Sequence, residues 1–293
     1  MALNISVFRT RALSALIFAA VMLTGLLWNF WSFFILFSVI HFGCWLEYQK
    51  LIGLIDKGYK EITFVHKYGA ITAGWFLMFY FTGSSYRVFN LSLHTIGYWA
   101  VLFILFAIPV LEIIFWRKVN FKYLMISFFG LLYISLSWAL LTNLRSRFDS
   151  EFLGDFIGKM FVMLIVVSIW INDTMAYLVG SFIGKTPLTK ISPKKTLEGT
   201  IGGIIGSILI VGIIGYFIND DHNWGSIFQL MAIAGVASIT GTFGDLIESK
   251  LKRMAGVKDS GHIMPGHGGF LDRFDSLLLA TPFVWLCIIL FMK

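Results

Sequence analysis

The chain is built of long apolar runs separated by short polar segments. Residues 12–46 carry no charged side chain over 35 positions, and further uncharged runs occupy 68–86, 88–111, 123–144, 199–219, 222–244 and 276–292. One more apolar run, about 158–182, is interrupted by Asp173. A helix that crosses the hydrocarbon of a bilayer needs about 20 residues, within a range of roughly 17–25. Each run is long enough for one span, and 12–46 for two, joined by a tight hairpin at Trp28-Asn29. The pattern therefore predicts an all-α, polytopic integral membrane protein with nine transmembrane helices. The runs are continuous rather than alternating, which excludes a transmembrane barrel. Arg9 and Arg11 before an apolar run resemble the start of a signal peptide. No small-x-small cleavage site ends that run and a second span follows at once, so a retained first helix is expected.

Composition supports this reading. Of 293 residues, 58% are hydrophobic and 13% charged, against roughly 25% charge in soluble domains. That excludes a disordered chain and an ordinary soluble globule, which could not bury so much apolar side chain. The two cysteines, Cys44 and Cys287, lie in apolar runs and offer no disulfide framework or zinc spacing, so both are expected to be free thiols.

The net charge is +7. In a membrane protein such a surplus reports topology and anionic headgroups rather than nucleic acid. With the N-terminus on one side, nine spans put seventeen Lys and Arg on that side and five on the other, with Arg273 at the start of the last helix. The positive-inside rule then makes the N-terminus cytoplasmic and the C-terminus external. The spans before residue 150 are nearly free of interior charge. From 170 onward, charge gathers at the cytoplasmic ends, which suggests a division into 1–150 and 151–293.

The densest polar segment is 245–275, with ten charged residues in 31 positions: Asp245, Glu248, Lys250, Lys252, Arg253, Lys258, Asp259, Asp272, Arg273 and Asp275. Asp245 and Glu248 are spaced i, i+3 at one helix end, and Asp272 and Asp275 repeat that spacing at the start of the next. Carboxylates near the bilayer usually face a cavity and serve function. Hard oxygen ligands suit Mg²⁺, which favours one or two carboxylates plus substrate phosphates. The plainer reading of any one of them is a helix-end charge paired with a nearby Lys or Arg. Lys258 and the turn Pro265-Gly266-His267-Gly268-Gly269 could contribute phosphate contacts, although a glycine-rich turn alone is often only a loop. A second polar cluster spans 172–199. Asn172 and Asp173 lie in a span. Lys185, Lys190, Lys194 and Lys195 fill the next loop, and Glu198 follows with Thr196 or Ser192 as candidate N-cap. This loop is either a topogenic connection or a lid over a polyphosphate. Together the residues suit metal-assisted chemistry on a phosphorylated or nucleotide substrate at the cytoplasmic face.

The segment Ser249-x-x-Lys252-Arg253-x4-Lys258-Asp259-x5-Pro265-Gly266-His267-Gly268-Gly269-x-x-Asp272-Arg273-x-Asp275 resembles the signature of the CDP-diacylglycerol synthases (phosphatidate cytidylyltransferases). Asp173-x-x-Ala176-Tyr177-x-x-Gly180, Ser192-Pro193-Lys194-Lys195-Thr196-x-Glu198-Gly199 and Gly244-Asp245 also resemble that family. The likeness is clear from about 170 to 280, while the first 150 residues match in hydropathy and length only. It implies transfer of CMP from CTP to phosphatidate in a bacterial inner membrane, with pyrophosphate released on the cytoplasmic side. It further implies Mg²⁺ with a second, monovalent cation, and a homodimer with contacts through 1–150. By resemblance Asp245, Asp272 and Asp275 become metal ligands. Lys258 and Asp259 join Asp245 and Asp272 at the reacting groups. Lys194, Lys195, Lys252, Arg253, His267, Gly268, Gly269 and Arg273 become contacts to the nucleotide and its phosphates. The competing readings are a CTP-dependent lipid or polyprenol kinase and, more remotely, an organic-anion transporter.

Overall fold

The computed structural model describes residues 5–116, 120–147, 153–218, 223–262 and 268–291, with backbone alone for 5–15, 116 and 153. Arg117, Lys118, Pro265, Gly266, His267 and Lys293 lie outside these residues. Among the described residues ten α-helices follow in order: α1 Ile5–Leu27, α2 Phe30–Ile55, α3 Phe64–Tyr80, α4 Leu93–Leu111, α5 Phe121–Gly130, α6 Leu136–Ser146, α7 Leu153–Ile183, α8 Leu197–Ile218, α9 Trp224–Met254 and α10 Leu271–Phe291. A π-helical segment, Leu131–Ser135, joins α5 to α6 as one apolar rod. Among the described residues seven helices are long and apolar enough to cross a membrane: Phe30–Ile55, Leu93–Phe115, Phe121–Ser146, Gly154–Ile183, Leu197–Ile218, Trp224–Met254 and Leu271–Phe291. The described apolar part of α1, Leu16–Leu27, is shorter, and α3 has 17 residues. The protein is thus an all-α polytopic membrane protein.

Among the boundaries that differ from the charge-free runs, two have their cause in local contacts. The second half of 12–46 continues to Ile55, through Glu47 and Lys50. Glu47 is buried and hydrogen-bonded, so it does not end the helix. The run 68–86 becomes a helix that starts at Phe64 and stops at Tyr80, because Thr63 caps its N-terminus by accepting from His66 N. Beyond it, β1 (Arg87–Val88) and β2 (Leu91–Ser92) form a small hairpin whose tip residues, Phe89 and Asn90, both have positive φ. That geometry matches the type I′ turns that join antiparallel strands. The hairpin at Trp28-Asn29 is present as expected. The Asn29 side chain accepts from Ser32 N and the Ser32 hydroxyl accepts from Asn29 N, a reciprocal cap on α2.

The chain divides into two compact units, one of 1–159 with 254–273 and one of 160–253 with 274–293. In the first unit α2 is the central element. Its Phe33, Phe37 and Trp45 are buried, and Trp45 Nε1 donates to Ser135 Oγ on the π-helical segment at 2.8 Å. A second π-helical segment, Glu112–Trp116, follows α4 a few residues after Pro109, whose missing N–H weakens the regular ladder. It carries Glu112 to His66 Nδ1 at 3.0 Å, while His66 Nε2 meets Ser127 Oγ at 2.8 Å and Tyr59 hydroxyl meets the same oxygen at 3.1 Å. The order Ser–His–Glu is that of a hydrolase triad. All three side chains are buried, however, so no substrate reaches the hydroxyl, and the network ties α3, α5 and the π segment together. At the other end Arg145, fully buried, holds Asp155 at 2.6 Å, and Asp155 also holds Lys159 at 2.7 Å.

The second unit shows how α8 faces lipid and protein at once. Ile201, Ile205, Leu209 and Ile213 form an exposed stripe at i+4 spacing, while Gly199, Gly203, Gly206 and Gly212 are buried. A Cβ at Gly203 would come within 2.7 Å of the Asn172 carbonyl oxygen, so the glycine face is what lets α8 lie close to α7. Small residues inside and large apolar ones outside are the pattern of helices packed in a bilayer.

Candidate active site

The residues singled out by sequence fall into two clusters, one in each unit.

In the second unit, carboxylates from α7, α9 and α10 gather with lysines. Gly244 sets this up: a Cβ there would come 2.4 Å from the Asp275 carbonyl oxygen, and only hydrogen permits α10 to cross α9 so closely. The crossing sets the flanking residues Asp245 and Glu248 beside the first turns of α10. Glu248 is fully buried and holds Lys252 at 2.5 Å, one turn on. Asp275 is buried, accepts from Ser276 N at 2.6 Å, and interacts electrostatically with Glu248, Lys195 and Lys252.

The 184–196 loop delivers Lys195 to this cluster. Leu188 N donates to Lys195 O at 2.7 Å, Leu197 N donates to Thr186 O at 2.8 Å, and Pro187 and Thr196 form an antiparallel bridge. Thr196 is the cap of α8, accepting from Gly199 N at 3.1 Å, whereas Ser192 instead donates its N–H to Thr189. Glu198 accepts from the backbone N–H groups of Lys185 and Thr186, which closes the loop at its base. So braced, the Lys195 ammonium pairs directly with Asp245. Burial pulls the Lys195 ammonium below the usual lysine range, while Asp173 and Asp275 pull the other way. Lys194, its neighbour, is exposed, as is Arg253. Asp173 adds a fourth carboxylate on α7 beside Asn172.

In the first unit, the signature loop is tied down by two carboxylates. Asp272 Oδ2 accepts from Ser260 N (2.9 Å), Ser260 Oγ (2.9 Å) and Gly269 N (2.7 Å). Glu47, on α2, accepts from Phe270 N and Leu271 N at 2.9 Å each, and lies 2.6 Å from Ser260 Oγ. Phe270 immediately precedes α10 and Leu271 is its first residue, so their N–H groups have no partner within the helix and lie at the positive end of its dipole. A carboxylate accepting both is the stabilising partner such an end calls for, and it explains how Glu47 can be buried. Gly268 has φ +83, and at Gly269 a Cβ would fall 2.3 Å from Glu47 Oε1, so both glycines shape the turn around these acids. The N–H groups expected to cradle phosphate here are held by Glu47 and Asp272. Lys258 and Asp259 are exposed and line a cavity of about 290 Å³ with Lys50, Ser260 and His262. Arg273 is exposed, and His267 lies outside the described residues.

Sequence reasoning missed Glu47. The signal was present, because a lone acid inside an apolar run is expensive and marks a partner, but the count of charge-free runs stopped at residue 46. Among the described residues no three of His, Cys, Asp and Glu lie close enough to share one metal ion. The donor set still suits a hard cation: the second unit offers carboxylate oxygens of Asp245 and Asp275, and Mg²⁺ characteristically takes only one or two from protein.

Known proteins give this arrangement a context. Proteins named phosphatidate cytidylyltransferase from Staphylococcus haemolyticus (strain JCSC1435) and Staphylococcus epidermidis (strain ATCC 12228 / FDA PCI 1200) are each 44% identical to this chain over 126 residues. One from Staphylococcus aureus (strain COL) is 43% identical over the same length. Each match covers 43% of this chain and 47% of the relative, so it spans about half the length of these curated proteins. The model of the family described as "Cytidylyltransferase family" matches residues 9–291, nearly the whole chain, and the chain belongs to that family.

Proposed function

We propose that this protein transfers the cytidylyl group of CTP to phosphatidate, giving CDP-diacylglycerol and pyrophosphate. The observation that carries the reading is the cluster of Asp173, Asp245, Glu248 and Asp275 with Lys195 and Lys252 in a unit built of membrane-spanning helices. Charges of both signs are costly there and call for a polyanion with its counter-cation. In the reaction, a phosphatidate phosphate oxygen forms a bond to the α-phosphorus of CTP. The bond from that phosphorus to the bridging oxygen breaks, and pyrophosphate leaves with the electron pair. The nucleophile is already an anion, so the protein needs no strong general base. Its work is positioning and charge neutralisation.

Asp245 and Asp275 would hold Mg²⁺, which when bound neutralises charge on the phosphates. Lys195 is poised to exchange Asp245 for a phosphate oxygen, and Lys252 to do the same from Glu248. Lys194 and Arg253 supply further positive charge in the second unit, and Lys258 and Arg273 supply it in the first, where Asp259 follows Lys258 in sequence. Glu47 and Asp272 fix the turn that starts α10 and so position Asp275 three residues on. The lysine-rich loops support a cytoplasmic site, where CTP is available. That reading brings with it nine spans, a cytoplasmic N-terminus, an external C-terminus and an inner-membrane location. A second, monovalent cation and a homodimer complete the proposal.

The test is product analysis with purified protein, CTP, phosphatidate and Mg²⁺. Stoichiometric pyrophosphate with CDP-diacylglycerol supports the proposal, and CDP with a phosphorylated lipid indicates the kinase instead.

A further inference from the structure

The end of α2 assigned to the cytoplasm carries a cationic, anion-binding pocket, wholly within the first unit. A cavity of about 380 Å³ is lined by Gln49, Lys50, Lys60 and Lys67, with Leu46 and Leu54 at its rim and no carboxylate in its lining. The spacing explains the wall: Leu46, Lys50, Gly53 and Leu54 fall on one face of α2, at i, i+4, i+7 and i+8. Gly53 is small enough for the Lys60 stem to lie against the helix, since a Cβ there would come 2.9 Å from Lys60 Cγ. Lys67 reaches the cavity from the start of α3, with its ammonium 5.5 Å from the Tyr68 ring centre.

Gln49 gives the pocket its chemistry. It is 5% exposed, its Nε2 donates to Lys67 O at 2.9 Å, and its Oε1 is buried without a hydrogen-bond partner among the described residues. An orphan buried acceptor costs free energy unless a donor comes to it. A ligand that answers both features combines negative charge for three lysines with a hydroxyl for Gln49. The rim identifies its source, because Leu46 and Leu54 are 49% and 40% exposed on a helix long enough to span a bilayer. Acyl chains lie against such leucines while a headgroup enters at the polar end.

We propose that this pocket binds the headgroup of an anionic glycerophospholipid that carries a free hydroxyl beside its phosphodiester. It is a lipid site within the first unit, and Lys50 also lines the neighbouring first-unit cavity that contains Lys258 and His262.

The test is lipid retention by the full-length purified protein, measured by native mass spectrometry. The probes are phosphatidylglycerol, phosphatidylmethanol (the same charge without the hydroxyl) and phosphatidylcholine. Phosphatidylglycerol is expected to bind at least tenfold more tightly than phosphatidylcholine and measurably more tightly than phosphatidylmethanol. Lys60→Glu with Lys67→Glu should weaken phosphatidylglycerol at least tenfold and leave phosphatidylcholine unchanged. Gln49→Leu should abolish only the preference over phosphatidylmethanol. The wild-type comparison of the three lipids decides the hydroxyl part if Gln49→Leu fails to fold. Equal retention of all three lipids overturns the proposal, as does unchanged phosphatidylglycerol binding in the folded double lysine variant. Displacement of phosphatidylglycerol by CTP, phosphatidate or inorganic phosphate at equal concentration also overturns it, by assigning the pocket to the substrates.

Discussion

Glu47 is a single acid deep in an apolar helix, and the start of α10 depends on it. Removing it leaves the N–H groups of Phe270 and Leu271 without their acceptor, each at a cost of about 1–3 kcal/mol. The turn that carries Asp272 and leads to Asp275 would then shift. Glu47→Ala is expected to lower the thermal midpoint and to cut CDP-diacylglycerol formation by ~10²-fold, the scale of a misplacement of about 1 Å. Glu47→Gln, which keeps one acceptor oxygen, should fall between. Unchanged turnover in Glu47→Ala would remove it from the positioning role. Lys195 gives a pH signature. Its ammonium lies below the usual lysine range through burial, so it loses its proton, and its pairing with Asp245, at lower pH than a solvated lysine. Activity should decline on the alkaline side earlier than an ordinary lysine dictates. Lys195→Arg should carry that decline to higher pH, because arginine stays charged. Folding stability moves the other way. Between the depressed folded value and the unfolded one the unfolded chain binds more protons, so this group's contribution to stability rises with pH.

At the scale of elements, charge-free runs located the helices and missed what interrupts or joins them. The Trp28-Asn29 break was legible because Asn29 is a strong N-cap and the apolar pattern restarts behind it. The Thr196 cap was legible for the same reason. The π segments at Glu112–Trp116 and Leu131–Ser135 were not, since hydropathy carries no signal for one extra residue per turn. Nor was the reach of α2 through Glu47, because a buried acid looks like a terminus until its partners, some 220 residues away in sequence, are known. The charged segment at 245–275 was legible as the densest polar stretch of the chain. Its division was not: Asp272 holds the loop, while Asp245 pairs with Lys195 from the 184–196 loop. Two predictions belong here. Gly244→Ala puts a Cβ 2.4 Å from the Asp275 carbonyl oxygen, and such overpacking typically costs about 1–3 kcal/mol. Unfolding assays should show that loss, and product assays a fall in turnover. Ser127→Ala removes the hydroxyl shared by His66 and Tyr59. It should lower stability by about 1–3 kcal/mol and leave cytidylyl transfer intact, whereas lost turnover would contradict a purely structural network.

The whole molecule spends its scarce charge unevenly. Large apolar side chains are exposed along its helices, as in the stripe of α8 and in Trp99, Phe103 and Phe106 on α4. Many of the remaining charges collect at helix ends, with Glu47 and Asp173 as exceptions inside helices. That arrangement predicts sidedness: a single cysteine at Phe89, on the β1–β2 tip, should label from outside, and one at Lys190 only from within, in a variant whose native Cys44 and Cys287 are replaced. Labelling of both from one side would contradict the nine-span topology. The central claim is the transfer itself, and the position of a radioactive phosphorus tests it most directly. Purified protein is supplied with phosphatidate, Mg²⁺ and CTP labelled in turn at the α- and γ-phosphorus. The account predicts α-label in the lipid and γ-label in pyrophosphate. γ-Label in the lipid with CDP released, or no transfer by folded protein, would contradict it.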